Sequence, residues 1–133
     1  MNIQKIVTRI LQALLIAQFS FFGISKIIGT ADMVHTFQNL IQYPSWFRVV
    51  VGIVEVTAVV LLIVAFKKQN LMVWGSLLIG ILTLGAAYSH AFRQGSMPDA
   101  IIPLVVFAQM SLMLWLNQRV AQQPAKHPAI VSA

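Results

Sequence analysis

The side chain most able to do chemistry in this sequence is Glu55, an acid set inside an apolar run. Eighteen residues separate Arg48 from Lys67, and Glu55 is the one ionisable group among them. A helix rises about 1.5 Å per residue, so roughly 20 residues cross a hydrocarbon core of about 30 Å. Glu55 lies nine residues beyond Trp46, about 13 Å along such a helix and close to mid-bilayer. A lone charge there costs on the order of 2.5–3.5 kcal/mol on insertion scales. It needs a partner, and what it offers is proton exchange or the anchoring of a ligand. The plainer alternative is an acid that only bonds neighbouring helices.

Other polar residues fall near the same depth, one in each remaining apolar run: Gln18, Thr83 and Gln109. Inside a bundle they could meet Glu55, or each could bond locally and act as glue. Lys26 ends the first run, and extended side chains or a bridging water would bring it into contact with Glu55. Arg48 precedes Glu55 by seven residues, which places both on one helix face. His90 and Arg93 close the third run. Ser96-Met97-Pro98-Asp99 has the S-x-x-D form of a helix start, so Asp99 is either a capping carboxylate or a member of the polar group. Pro103 would free a carbonyl beside it. The candidate cluster is therefore Lys26, Glu55, His90, Arg93, Gln18, Gln109, Asp99 and Arg48. No catalytic motif and no metal-ligand spacing is visible, so no residue is assigned as catalytic or metal-binding. His35 and His90 alone are a weak basis for haem.

The elements that position these groups follow from composition. Of 133 residues, 59% are hydrophobic and only 9% are charged. A soluble domain of this size needs about 25% charged residues, so a water-soluble fold, a disordered chain and a nucleic-acid module are excluded. The formal charge of +6 is scattered rather than striped. The absence of cysteine removes disulfide and thiolate chemistry. Charge-free gaps predict spans near 7–28, 47–66, 71–92 and 98–118, with 119–133 as a flexible cytoplasmic tail. The fold class expected is all-α, an integral membrane four-helix bundle. The first span is read as an uncleaved helix rather than a signal peptide, because Gln18 and Ser25 interrupt its apolar stretch and no cleavage-like site follows. Six Lys or Arg residues fall on the side of both termini and three on the other, which predicts cytoplasmic termini.

Between spans 1 and 2, Met33, Phe37, Leu40 and Ile41 recur at helical spacing. Gly29 can end the first helix, Thr30 can N-cap the next, and Asp32 sits in its first turn. This predicts a short amphipathic interfacial helix, followed by a Tyr43-Pro44 turn and Trp46 as an aromatic anchor. On the third span Ser76, Gly80, Thr83, Ala87 and His90 form a stripe of mostly small residues, an interface for a neighbouring helix or another subunit. The ionisable residues gather toward the outer half, which predicts a polar pocket opening outward under the 30–42 helix.

The sequence resembles the DoxX-like membrane proteins. Phe21-Phe22-Gly23-Ile24-Ser25-Lys26 is similar to the "F-x-x-G-x-x-K" end of their first helix. Met33 to Phe37 with Tyr43-Pro44 is similar to their short link, Gly52-Ile53-Val54-Glu55 to their "G-x-x-E", and His90-Ala91-Phe92-Arg93-Gln94-Gly95 to their "H-x-x-R-x-G". The resemblance spans about residues 10–117. It departs where Ser96-Met97-Pro98 separates Gly95 from Asp99. It implies a four-helix membrane bundle in a family that includes a small subunit of a thiosulfate:quinone oxidoreductase, members tied to oxidative-stress or quinone responses, and an animal receptor-assembly chaperone. Two functions are expected from this. One is a redox-linked accessory that binds a quinone-like or other amphipathic ligand, with Lys26, His90 and Arg93 as donors and Glu55 exchanging protons. The other is a membrane-protein assembly factor with a structural polar cluster. No intrinsic cofactor is expected, only a quinone or lipid as ligand. The expected partners are the bilayer, a membrane or redox subunit and a second copy, not nucleic acid. The expected location is a bacterial inner membrane.

Overall fold

The computed structural model describes residues 2–122, which are helical with no strand. Helix α1 spans Ile3–Ile28. Helix α2 is the single turn Ala31–Val34, continued by a π-helical segment His35–Leu40. Helix α3 spans Ser45–Val64. Helix α4 spans Leu71–Tyr88 and is continued by a π-helical segment Ser89–Arg93. Helix α5 spans Met97–Gln122. Four of these are long and apolar enough to cross a membrane, namely α1, α3, α4 with its π extension, and α5. Their outward faces carry exposed apolar side chains such as Ile10, Phe21, Ile53, Ile81 and Val105. Water would oppose such a surface and lipid accepts it.

The ends differ from the expected spans by a few residues, for local reasons. Helix α1 begins at Ile3 because Asn2 caps it, its side chain accepting from the Gln4 amide at 3.1 Å. Helix α5 runs on to Gln122, four residues past the expected end at 118. The rest of the expected tail lies outside the described residues.

The helices alternate in direction and pack as a ring, α1 against α3, α3 against α4, α4 against α5, and α5 back onto α1. Their shared core is made by Leu15, Phe19, Val59, Leu62, Met72, Ile79 and Met113. It fills the half of the bundle away from the α2 link. Small residues set the closest approaches. A Cβ on Gly52 would stand 2.7 Å from the Gly23 carbonyl oxygen, so α3 and α1 touch there backbone to backbone. Gly80 takes the Met110 side chain of α5 in the same way. The stripe on α4 is thus largely spent inside the bundle, with Ser76, Thr83 and Ala87 all buried.

The far end is tied by polar bonds. Gln12 is fully buried and donates to the Leu62 carbonyl at 2.6 Å, while Arg9 donates to Gln12 Oε1 at 3.0 Å. That carbonyl lies in the last turn of α3, where the chain tightens and Phe66 N–H turns to Ile63 instead. Gln69 donates to Asn117 at 2.6 Å and fastens the second link to α5.

The α2 link departs from a regular amphipathic helix. Thr30 holds the N-cap position but its hydroxyl makes no capping bond. Phe37 and Ile41 are buried and Met33 partly so, while Leu40 is exposed. The wider π-helical turn keeps the i, i+4, i+8 series on one face and swings Leu40 out of it.

A candidate ligand cavity

Above the core, the link half of the bundle encloses a cavity of about 650 Å³. It is walled by α1, α3, α4, α5 and the link, and its lining is mostly apolar, with Phe19, Phe22, Phe37, Ile41, Phe47 and Val51 among the side chains. A few polar groups converge on it from opposite walls, the usual composition of a small-molecule site.

On one wall stands the Lys26–Glu55 ion pair. Lys26 Nζ donates to Glu55 Oε1 at 2.9 Å and to Oε2 at 3.0 Å, with 9% of Lys26 and 5% of Glu55 exposed. The contact is direct, with no need for a bridging water. The glycines produce it. Gly23 precedes Lys26 by three residues and Gly52 precedes Glu55 by three, so each glycine shares a helix face with its charged residue. Where the glycines let the backbones close, the charges meet one turn on. A buried pair of this kind holds because each charge would otherwise sit uncompensated. Glu55 engages two of the three ammonium hydrogens and the Phe22 ring lies 5.5 Å from Nζ, so one hydrogen has no oxygen or nitrogen acceptor among the described residues.

Arg48 supports this wall without lining the cavity. Its guanidinium packs against Gly29, which ends α1 at φ 78°, and donates to the Lys26 carbonyl. That is the capping of a helix C-terminus by a cation. A Cβ on Gly29 would stand 3.0 Å from Arg48 Nη1, so both the fold-back and the left-handed φ call for glycine here.

The opposite wall carries a chain of three side chains. His90 Nδ1 and Gln94 Oε1 are 2.5 Å apart, and Gln94 Nε2 donates to Asp99 Oδ2 at 2.7 Å. All three residues line the cavity. The Asp99 amide donates to the Ser96 hydroxyl at 3.4 Å, so Ser96 caps α5 while the Asp99 carboxylate turns to Gln94. Pro103, buried on the same lining, supplies no N–H, and the Asp99 carbonyl one turn before it loses its helical donor.

Arg93 and Gln109 stand elsewhere. Arg93 is turned onto the link, donating to the carbonyls of Ile41 at 3.1 Å and Gln42 at 3.3 Å, with its guanidinium 4.6 Å over the Tyr43 ring. It pins the link, including Gln42 at φ 63°, and is not a cavity donor. Gln109 does not line the cavity, and its Nε2 is buried without a partner among the described residues. Gln18 does line it, and its buried Oε1 likewise has no partner among them. Thr83 lines it too, but its hydroxyl is satisfied by the Ile79 and Gly80 carbonyls.

A family model described as DoxX-like matches residues 10–113 of the chain. The chain belongs to the DoxX-like family. No curated protein and no solved structure gives a match. With its four apolar helices, this DoxX-like protein is a small integral membrane protein.

Three residues around this DoxX-like protein's cavity escaped sequence reasoning. Gln94 follows His90 by four residues, the spacing of helical neighbours, and that was its available signal. Tyr43 and Ser89 join the link to α4 through a 2.9 Å hydroxyl pair, and no periodicity announces that contact.

Proposed function

We propose that this protein binds a quinone-like or other amphipathic ring compound in the cavity, as an accessory to membrane redox chemistry. The observation that supports this is the pairing of a mostly apolar space of about 650 Å³ with polar groups on two of its walls. The free ammonium hydrogen of Lys26 suits a carbonyl or hydroxyl oxygen of a ring head group. The phenyl rings of Phe19, Phe22, Phe37 and Phe47 suit the ring and its apolar tail. Cysteine is absent from the sequence, so it brings no thiol or thiolate-ligated redox chemistry of its own. In this reading a partner subunit carries the electron transfer and this protein holds the ligand.

The membrane orientation belongs to the same proposal. The link end of the bundle carries Lys26, Arg48 and Arg93, whereas Lys5, Arg9, Lys67, Lys68 and Arg119 lie toward the other. The positive-inside bias then puts both termini in the cytoplasm of a bacterial inner membrane and opens the cavity outward.

Ligand binding is tested by titrating the purified protein in nanodiscs with short-tailed quinones and hydroquinones and following tryptophan fluorescence. Saturable binding, weakened in Phe37→Ala or Lys26→Met protein, is expected. Lack of saturable binding by every ring compound would overturn the proposal.

A further inference from the structure

Polar groups around the cavity differ in what they leave free. Gln94 is the deciding residue. Asp99, as a carboxylate, can only accept, so the Gln94 amide must present its NH₂ to Asp99, at 2.7 Å. Its carbonyl oxygen then faces His90 Nδ1 at 2.5 Å, and a carbonyl also only accepts. Nδ1 must carry the hydrogen. In a neutral imidazole this leaves Nε2 bare, a hydrogen-bond acceptor. No described side chain occupies Nε2, and His90 lines the cavity. Gln18 lines the same space, but its Oε1 is buried away from it and has no partner among the described residues. Donation into the cavity comes from the third hydrogen of Lys26 on the opposite wall.

From this we infer that the cavity selects a ring compound that bears a hydroxyl, a hydroquinone or other phenol, over its oxidised or O-alkylated counterpart. The inference rests on the ligand-binding reading above and names the chemical class that reading leaves open. A phenolic O–H donates to His90 Nε2, and an oxygen of the same ring accepts from Lys26. A quinone has only acceptors, so it satisfies Lys26 and leaves Nε2 facing an oxygen lone pair. Gln94 and Asp99 act here as positioning residues. Neither needs to touch the ligand, because they fix which ring nitrogen of His90 is bare.

Two measurements test this. The first is the ¹⁵N spectrum of histidine-labelled full-length protein in nanodiscs, with His90 assigned by its loss in His90→Asn. A protonated Nδ1 and unprotonated Nε2 are expected, while protonation at Nε2 alone would overturn the inference whatever binds. The second compares one short-tailed hydroquinone, its quinone and its dimethyl ether. Loss of one net hydrogen bond, with Nε2 left unpaired, should weaken binding about tenfold for the quinone and the ether. In Gln94→Leu protein that difference should fall below about threefold, because the tautomer is no longer held. Equal binding of all three probes to the wild type would overturn the hydroxyl preference and leave the cavity reading intact. Absence of binding by all three would overturn the cavity reading and the preference with it.

Discussion

Replacing Gly52 by alanine separates two opposing expectations about this bundle. Helix propensity alone favours alanine, by about 0.8–1.0 kcal/mol. The packing argues the reverse. A Cβ at position 52 would stand 2.7 Å from the Gly23 carbonyl oxygen and 2.9 Å from Ile27 Cγ1 and Lys26 Cβ. Ordinary contact begins at 3.4 Å, so α1 and α3 must part by about 0.7 Å at this crossing, backbone being unable to give as a side chain does. Carried one turn along, the same movement stretches Lys26 Nζ–Glu55 Oε1 from 2.9 Å to about 3.6 Å, outside hydrogen-bond range. Overpacking costs about 1–3 kcal/mol, and a lost hydrogen bond to a charged group adds about 1.5–3 kcal/mol. After the propensity gain, a net loss of about 1.5–5 kcal/mol is expected for Gly52→Ala. Gly85→Ala is the control, since a Cβ there meets nothing within 4 Å. It should keep the propensity gain and be neutral to about 1 kcal/mol more stable. Reversible unfolding in mixed micelles, followed by circular dichroism, reads both variants. A Gly52→Ala protein as stable as Gly85→Ala would refute the close crossing and the register it gives to Lys26 and Glu55.

Two further outcomes follow from the polar contacts. In a cycle of Lys26→Met, Glu55→Gln and the double variant, each single change leaves one buried group without its partner, so the double variant should lose less than the sum, with a coupling of about 1–3 kcal/mol. Strictly additive losses in the same unfolding assay would mean that the ion pair contributes nothing. Gln12→Leu should cost about 1–3 kcal/mol by stranding the buried Leu62 carbonyl. It should leave ring-compound affinity unchanged, because Gln12 sits at the end of the bundle away from the cavity, and a variant that lost affinity but not stability would contradict that placement.

The spans were readable because lipid excludes charge, so the gaps between ionisable residues mark what must be apolar. Their ends were less so, since a helix continues past the hydrocarbon for as long as local bonds support it, as the Asn2 cap does at Ile3. Depth along a helix axis also follows from counting, and Gln18, Glu55, Thr83 and Gln109 were placed by it. Azimuth does not, when a helix is apolar nearly all round. Gln109 and Gln18 were equal candidates by depth, and only the packing sends one to the cavity and the other away from it. The two π-helical segments were hidden for a related reason. A widened turn leaves residue types unchanged and alters only which of them share a face, and this is why Leu40 leaves its expected stripe.

Arg93 shows that a motif can place a residue without fixing what its side chain touches. Its position at the end of the third span suggested a ligand donor, yet its guanidinium satisfies the Ile41 and Gln42 carbonyls and covers Tyr43. Those carbonyls exist as acceptors only because the link leaves helical winding there, which a sequence does not display. By contrast, Gly23-x-x-Lys26 and Gly52-x-x-Glu55 contain their own geometry. Each places a residue without a side chain one turn from a charge, so two helices that touch at the glycines must bring the charges together. The glycines therefore fix the ion pair, and the ion pair in turn fixes which face of the cavity offers a donor. Gln94 and Asp99 set the opposite face as an acceptor. The polarity of the cavity, and hence the compound it can hold, is decided by residues one turn removed from the groups that would touch it.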